Sequence, residues 1–110
     1  MNILLLLAGG VGSRAGTGIP KQFVLINNKP IIVYTLSKFQ RCKLIDAICV
    51  VSHKDWVSQI ETYKDKFSLN KIKWIVSGGR TGLESVCNGI KSLASLSDKD
   101  LILIHDSVRP

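Results

Sequence analysis

The residues best suited to chemistry begin at Leu7-Ala-Gly-Gly-Val-Gly-Ser-Arg-Ala-Gly16, a glycine-rich stretch that leads to Ile19-Pro-Lys-Gln-Phe23. Glycines lack a Cβ, so backbone N–H groups there can approach a triphosphate. Arg14 and Lys21 add fixed positive charge where negative charge develops at a transferring phosphorus. The stretch fits neither of two common phosphate-loop patterns. Ala15 follows Arg14 where G-x-G-x-x-G would continue and no helix begins at once, and no Gly-Lys-Ser/Thr is present. A flexible turn carrying two surface cations has the same composition, so this segment alone leaves both readings open.

Two further segments carry polar residues in a pattern. Gly78-Gly-Arg-Thr-Gly-Leu-Glu-Ser85 opens a periodic stretch, and His105-Asp-Ser-Val-Arg-Pro110 follows an apolar run. Each residue has a plain structural reading beside a chemical one. Ser85 fits the first turn of a helix with Thr81 as its cap, Asp106 fits the start of a turn, and Arg109 fits a solvated loop.

The chain has 110 residues, 15 Lys plus Arg against 8 Asp plus Glu, three Cys and 45% hydrophobic residues. That balance excludes a disordered, collagen-like or disulfide-scaffold chain and allows one small core. The net charge of +7 raises the possibility of nucleic-acid binding, yet the cations are scattered from Arg14 to Arg109 without a run and aromatics are few. No nucleic-acid-binding motif is present, so no nucleic-acid partner is expected. Lys64, Lys66, Lys71 and Lys73 read as a solvated helix end and loop. Cys42, Cys49 and Cys87 have neither C-x-x-C nor Cys/His spacing, which fits a reducing cytoplasm; Cys49, within an apolar run, reads as core. The run from Ile3 to Ala8 is too short for a membrane span and lacks a basic leader, so no membrane association is expected.

Periodicity supplies the elements that must carry these segments. Residues 2–7 and 45–51 read as strands buried on both faces, with unbroken apolar runs over 3–7 and 47–51, and 71–76 and 101–104 read as two more strands. Pro30 suits the first turn of a helix whose stripe is Ile31, Ile32, Tyr34, Thr35, Leu36 and Phe39, ending near Arg41. Trp56, Ile60, Tyr63 and Phe67 mark a second helix. Leu83, Val86, Cys87, Ile90, Leu93 and Ala94 mark the stripe of a third, over 83–96. Strands alternating with helices predict an α/β fold with a parallel sheet and helices on both faces. All three polar segments follow strands, so they should converge where such sheets bind ligands, at the C-terminal strand ends.

The pattern A-G-G-x-G-x-R followed by Pro20-Lys21-Gln22-Phe23, with His105-Asp-Ser-Val-Arg-Pro110 downstream, resembles the alditol-phosphate cytidylyltransferases. Ala8-Gly9-Gly10, His105 to Val108 and Asp55 to Ser58 are closer to the ribitol 5-phosphate branch than to the 2-C-methyl-D-erythritol 4-phosphate branch. The resemblance implies a Rossmann-like three-layer nucleotidyltransferase fold, of which residues 1–110 form the N-terminal, CTP-binding portion. It also implies CTP and an alditol phosphate as partners, Mg²⁺ as cofactor, and a cytoplasmic homodimer when full length. Residue by residue, Arg14 and Lys21 match the catalytic cations, and Leu7, Ala8, Gly9, Gly10 and Gly12 match the loop that holds base and phosphates. Gly79, Arg80, Thr81, Gly82, Leu83, Glu84 and Ser85 match the loop contacting cytosine and ribose. Asp106 matches the metal carboxylate, Ser107 a nucleotide contact, and Arg109 a support for the acceptor side.

Two positions depart from the family pattern. Gly82 stands where that loop commonly has Arg, for which Arg80 offers a cation from a shifted position, and Ala15 replaces the usual Met. Because residues 101–110 end a strand without the loop and helix that ordinarily follow, the chain is expected to be the N-terminal part of a longer protein. A non-catalytic nucleotide-binding module is the alternative for the isolated chain.

Overall fold

The structure is a computed structural model, describing residues 1–8, 21–93 and 99–106, with Lys21 and Asp106 described by their backbone. Strand β1 (Asn2–Ala8) is followed by a 3₁₀ turn (Lys21–Phe23), the short strands β2 (Leu25–Ile26) and β3 (Lys29–Pro30), and helix α1 (Ile31–Arg41). Then come β4 (Ala47–Ser52), a 3₁₀ turn (Lys54–Trp56), α2 (Val57–Lys66), β5 (Ile72–Ser77), α3 (Gly82–Ser92) and β6 (Leu101–Asp106). The main sheet runs β5-β4-β1-β6 with every pairing parallel, while β2 and β3 form a separate antiparallel hairpin.

Alternation along β1 explains the layering. Leu4, Leu6 and Ala8 join Ile48 and Val50 on one face, where Ile32, Val33 and Leu36 of α1 and Ile60 of α2 cover them. Ile3 and Leu5 join Ala47, Cys49 and Val51 on the other, under Val86 and Leu93 at α3. The fold is therefore three layers deep around a mostly parallel sheet, as expected. β1 is central and buried on both faces, and removing such a leucine side chain typically costs about 2–5 kcal/mol.

Several expectations are corrected by packing. Only part of the stripe assigned to α3 faces the sheet: Val86 and Leu93 pack on it, but Leu83 is 74% and Ile90 46% exposed, Cys87 is exposed, and the buried helix residues are Ser85 and Gly89. The reason lies beneath the helix, because a Cβ at Gly89 would stand 2.4 Å from Leu5 Cδ1 and 2.9 Å from Val51 Cγ2. Bulky sheet residues already fill that space, so α3 docks through its small residues. The helix also ends at Ser92 with Leu93 as C-cap, short of the expected 96, and residues 94–96 lie outside the described set. In α1, Val33 is buried where the predicted stripe placed Ile31 and Tyr34; Tyr34 instead donates its hydroxyl to the Ile26 carbonyl at 2.6 Å. Lys71 is not simply solvated, since its Nζ donates to the Cys42 carbonyl at 2.7 Å.

Candidate active site at the C-terminal strand ends

The strand register aligns the C-terminal ends of the strands that the polar segments follow. Ala8 pairs with Ser52 and Ser52 with Ser77, while Leu7 pairs with Asp106 across β1 and β6. The ends preceding residues 9–20, 53–54, 78–81 and 107–110 therefore lie side by side. Strand order reverses at β1, which pairs with β4 on one side and β6 on the other, and ligands bind at such switch points.

Lys21 opens its 3₁₀ turn beside this end for a local reason. Gln22 is buried and its Nε2 donates to the carbonyl of Ala8, the last residue of β1. Phe23, also buried, stacks on Trp56 with ring centroids 4.3 Å apart and planes 15° from parallel. The backbone of Lys21 is thus followed by one polar and one aromatic anchor. The sequence marked Lys21 but assigned no role to Gln22, although Gln22 stands in the same Pro20-Lys21-Gln22-Phe23 motif.

The 78–85 loop is held by its own side chains. Thr81 caps α3 by accepting from Glu84 N at 3.1 Å, which confirms its plain reading. Glu84 Oε2 accepts from Arg80 N at 2.6 Å, and Ser85 Oγ accepts from Gly79 N at 3.1 Å. Two loop N–H groups that could face a phosphate are accordingly engaged within the loop. The paired glycines are required by proximity: a Cβ on Gly79 would fall 2.2 Å from Glu84 Cβ, and one on Gly78 2.7 Å from Ser85 Oγ. At Gly82 a Cβ meets nothing within 4 Å, so the departure from the family's Arg is not imposed by crowding.

An open groove of about 890 Å³ runs along the outer flank of α3. It brings Gly79, Arg80, Leu83 and Glu84 together with His53, Lys54 and Lys91. Three cations against one carboxylate give it a positive potential suited to an anionic ligand. His53 and Lys54 were not singled out as ligand-facing in the sequence; their position immediately after a strand was the available signal. His53 Nδ1 accepts from Asp55 N at 3.2 Å, which caps the turn. His105 sets its ring edge-on to Phe39 at 5.2 Å, on the α1 side of the sheet.

Gly9, Gly10, Gly12, Arg14, Ser107 and Arg109 lie outside the described residues. Among the described residues no three His, Cys, Asp or Glu side chains cluster as a ready metal cage. Asp106 is the terminal residue of β6 and the register partner of Leu7, so its backbone lies at the C-terminal strand ends.

Comparisons with known proteins agree with this layout. The ribitol-5-phosphate cytidylyltransferase of Vibrio parahaemolyticus is 45% identical over 112 residues, covering 100% of this chain and 47% of that protein. The 2-C-methyl-D-erythritol 4-phosphate cytidylyltransferase of Clostridium botulinum is 41% identical over 109 residues, covering 99% and 47% respectively. The crystal structure of the Francisella tularensis 2-C-methyl-D-erythritol 4-phosphate cytidylyltransferase superimposes with a TM-score of 0.74 at 30% identity, covering 99% of this chain and 45% of that one. The chain thus spans about half the length of the relatives it matches. Residues 2–110 match the family described as IspD, 2-C-methyl-D-erythritol 4-phosphate cytidylyltransferase, and the chain belongs to that family.

Proposed function

We propose that the protein of which this chain is part transfers CMP from CTP to an alditol phosphate, D-ribitol 5-phosphate, giving CDP-ribitol and pyrophosphate. The observation that carries this reading is the convergence of the Ala8, Ser52, Ser77 and Asp106 strand ends, with the Lys21 turn tied to the first of them. Relatives named for ribitol 5-phosphate at 43–45% identity support the acceptor. The methylerythritol acceptor is the sister reading, favoured by relatives named for it at 41%.

In this reading a phosphate oxygen of the alditol phosphate attacks the α-phosphorus of CTP. The new P–O bond forms as the bond to the β-phosphate bridging oxygen breaks, and pyrophosphate leaves with that electron pair. Such transfers depend mainly on positioning and charge neutralisation. Residues 7–12 hold base and phosphates, and Arg14 and Lys21 neutralise the charge that builds on the transferring phosphoryl group. Gly79–Ser85 contacts cytosine and ribose, Ser107 the nucleotide, and Arg109 the acceptor side. Asp106 would hold Mg²⁺, which would supply charge withdrawal from the phosphates. The intact protein acts as a homodimer in the cytoplasm, and no described helix is long and apolar enough to cross a membrane. The test is product analysis: incubation of the intact protein with CTP, Mg²⁺ and ribitol 5-phosphate yields CDP-ribitol, and absence of any CDP-alditol refutes the reading.

A further inference from the structure

We infer that Gln22 is a positioning residue, fixing Lys21 against the C-terminal end of β1. A buried polar side chain must find a partner, and leaving it unpaired costs about 1–3 kcal/mol. Gln22, only 2% exposed, spends its amide donor on the Ala8 carbonyl, fourteen positions back in the chain. That bond ties the last residue before the 9–20 segment to the second residue after it. Phe23 completes the anchor by stacking on Trp56 at 4.3 Å, with Tyr63 at 6.4 Å beyond it. Lys21 therefore precedes two consecutive side chains that cannot move independently of the sheet. Ala8 in turn follows Leu7, the register partner of Asp106. Gln22 thereby ties the backbone of Lys21 to the strand whose neighbour ends at Asp106.

The inference rests on the reading of Lys21 as a charge-neutralising catalytic residue, and it makes a specific demand. Gln22→Met keeps the length and burial but removes the donor. In the intact protein, with CTP and ribitol 5-phosphate, it should lower kcat about 10²-fold, the scale of a 1 Å misplacement, while KM for CTP stays nearly unchanged. In a Lys21→Ala background the same substitution should cost little more, because Gln22 acts through Lys21. Gln22→Glu should gain activity relative to the unaltered protein as pH falls, since only the protonated carboxyl can donate to the Ala8 carbonyl. Unchanged kcat in Gln22→Met, or an equal loss with and without the Lys21 side chain, overturns the inference. Amide hydrogen exchange reads the tether without turnover: Gln22→Met should speed exchange across Lys21–Phe23, and unchanged protection there also overturns it. Faster exchange in a protein that turns over no substrate would refute the proposed function and uphold the tether.

Discussion

Replacing Gly78 by alanine sets two features of the β5–α3 loop against each other. The new Cβ would lie 2.7 Å from Ser85 Oγ, and Gly78 cannot retreat freely because its N–H donates to the Ser52 carbonyl at 2.7 Å. Relief must come from rotation of the Ser85 hydroxyl, which breaks its bond from Gly79 N. A part-buried N–H left unpaired costs about 1–3 kcal/mol, partly offset by about 0.4–1 kcal/mol from the reduced entropy of the unfolded chain. Gly78→Ala should therefore destabilise by about 1–2 kcal/mol, and Ser85→Ala by about 1–3 kcal/mol, since it removes the same acceptor. With Ser85→Ala already present, Gly78→Ala meets only Ser85 Cβ and Val51 Cγ1, each at 3.5 Å, which is ordinary contact. It should then be neutral or slightly stabilising. Urea unfolding of the intact protein and the three variants measures the cycle, and a coupling of about 1–2 kcal/mol is expected. Additivity within about 0.5 kcal/mol would refute the idea that Ser85 Oγ occupies the space Gly78 leaves open.

Two other predictions concern the α3 face of the sheet. Gly89→Ala should destabilise by about 1–3 kcal/mol through contact with Leu5 and Val51 despite its better helix propensity, whereas Gly82→Ala, into open space, should not; thermal melting distinguishes them. Cys49 is buried, and burial pushes its thiol pKa up despite the opposing contact with Ser92 Oγ. It should resist a thiol reagent that labels exposed Cys87 rapidly. Its raised folded value contributes stability that is complete below the ordinary thiol range of about 8.5 and lost as pH climbs through that raised value. Labelling of Cys49 before Cys87 in the folded protein would contradict this placement.

The sequence revealed most of the sheet because buried parallel strands are written as unbroken apolar runs. Residues 2–7 and 45–51 needed only shifts of one or two positions to become β1 and β4. The α2 stripe was equally legible: Ile60 is buried, and Trp56, Tyr63 and Phe67 pack against the same core. Two features were hidden for different reasons. The β2–β3 hairpin turns through Asn27 and Asn28 with φ of 53° and 65°, a left-handed pair that Asn tolerates, but its strands are two residues each and too short for alternation to show. The orientation of α3 was hidden because periodicity rewards large apolar residues, while the sheet beneath required Gly89. In the candidate site, Thr81 as a cap was legible from its spacing to Glu84. The internal engagement of Glu84 and Ser85 was not, because it depends on the path of the loop over the helix N-terminus.

The central claim is that Lys21, held beside β1, promotes cytidylyl transfer to ribitol 5-phosphate. Pyrophosphate release from CTP by the intact protein, with ribitol 5-phosphate and methylerythritol 4-phosphate compared side by side, tests it most directly when Lys21→Ala is run in parallel. Higher kcat/KM is expected with ribitol 5-phosphate, with a loss of about 10²–10³-fold in kcat on removing the Lys21 side chain. Turnover with neither acceptor, or full activity in Lys21→Ala, would contradict it.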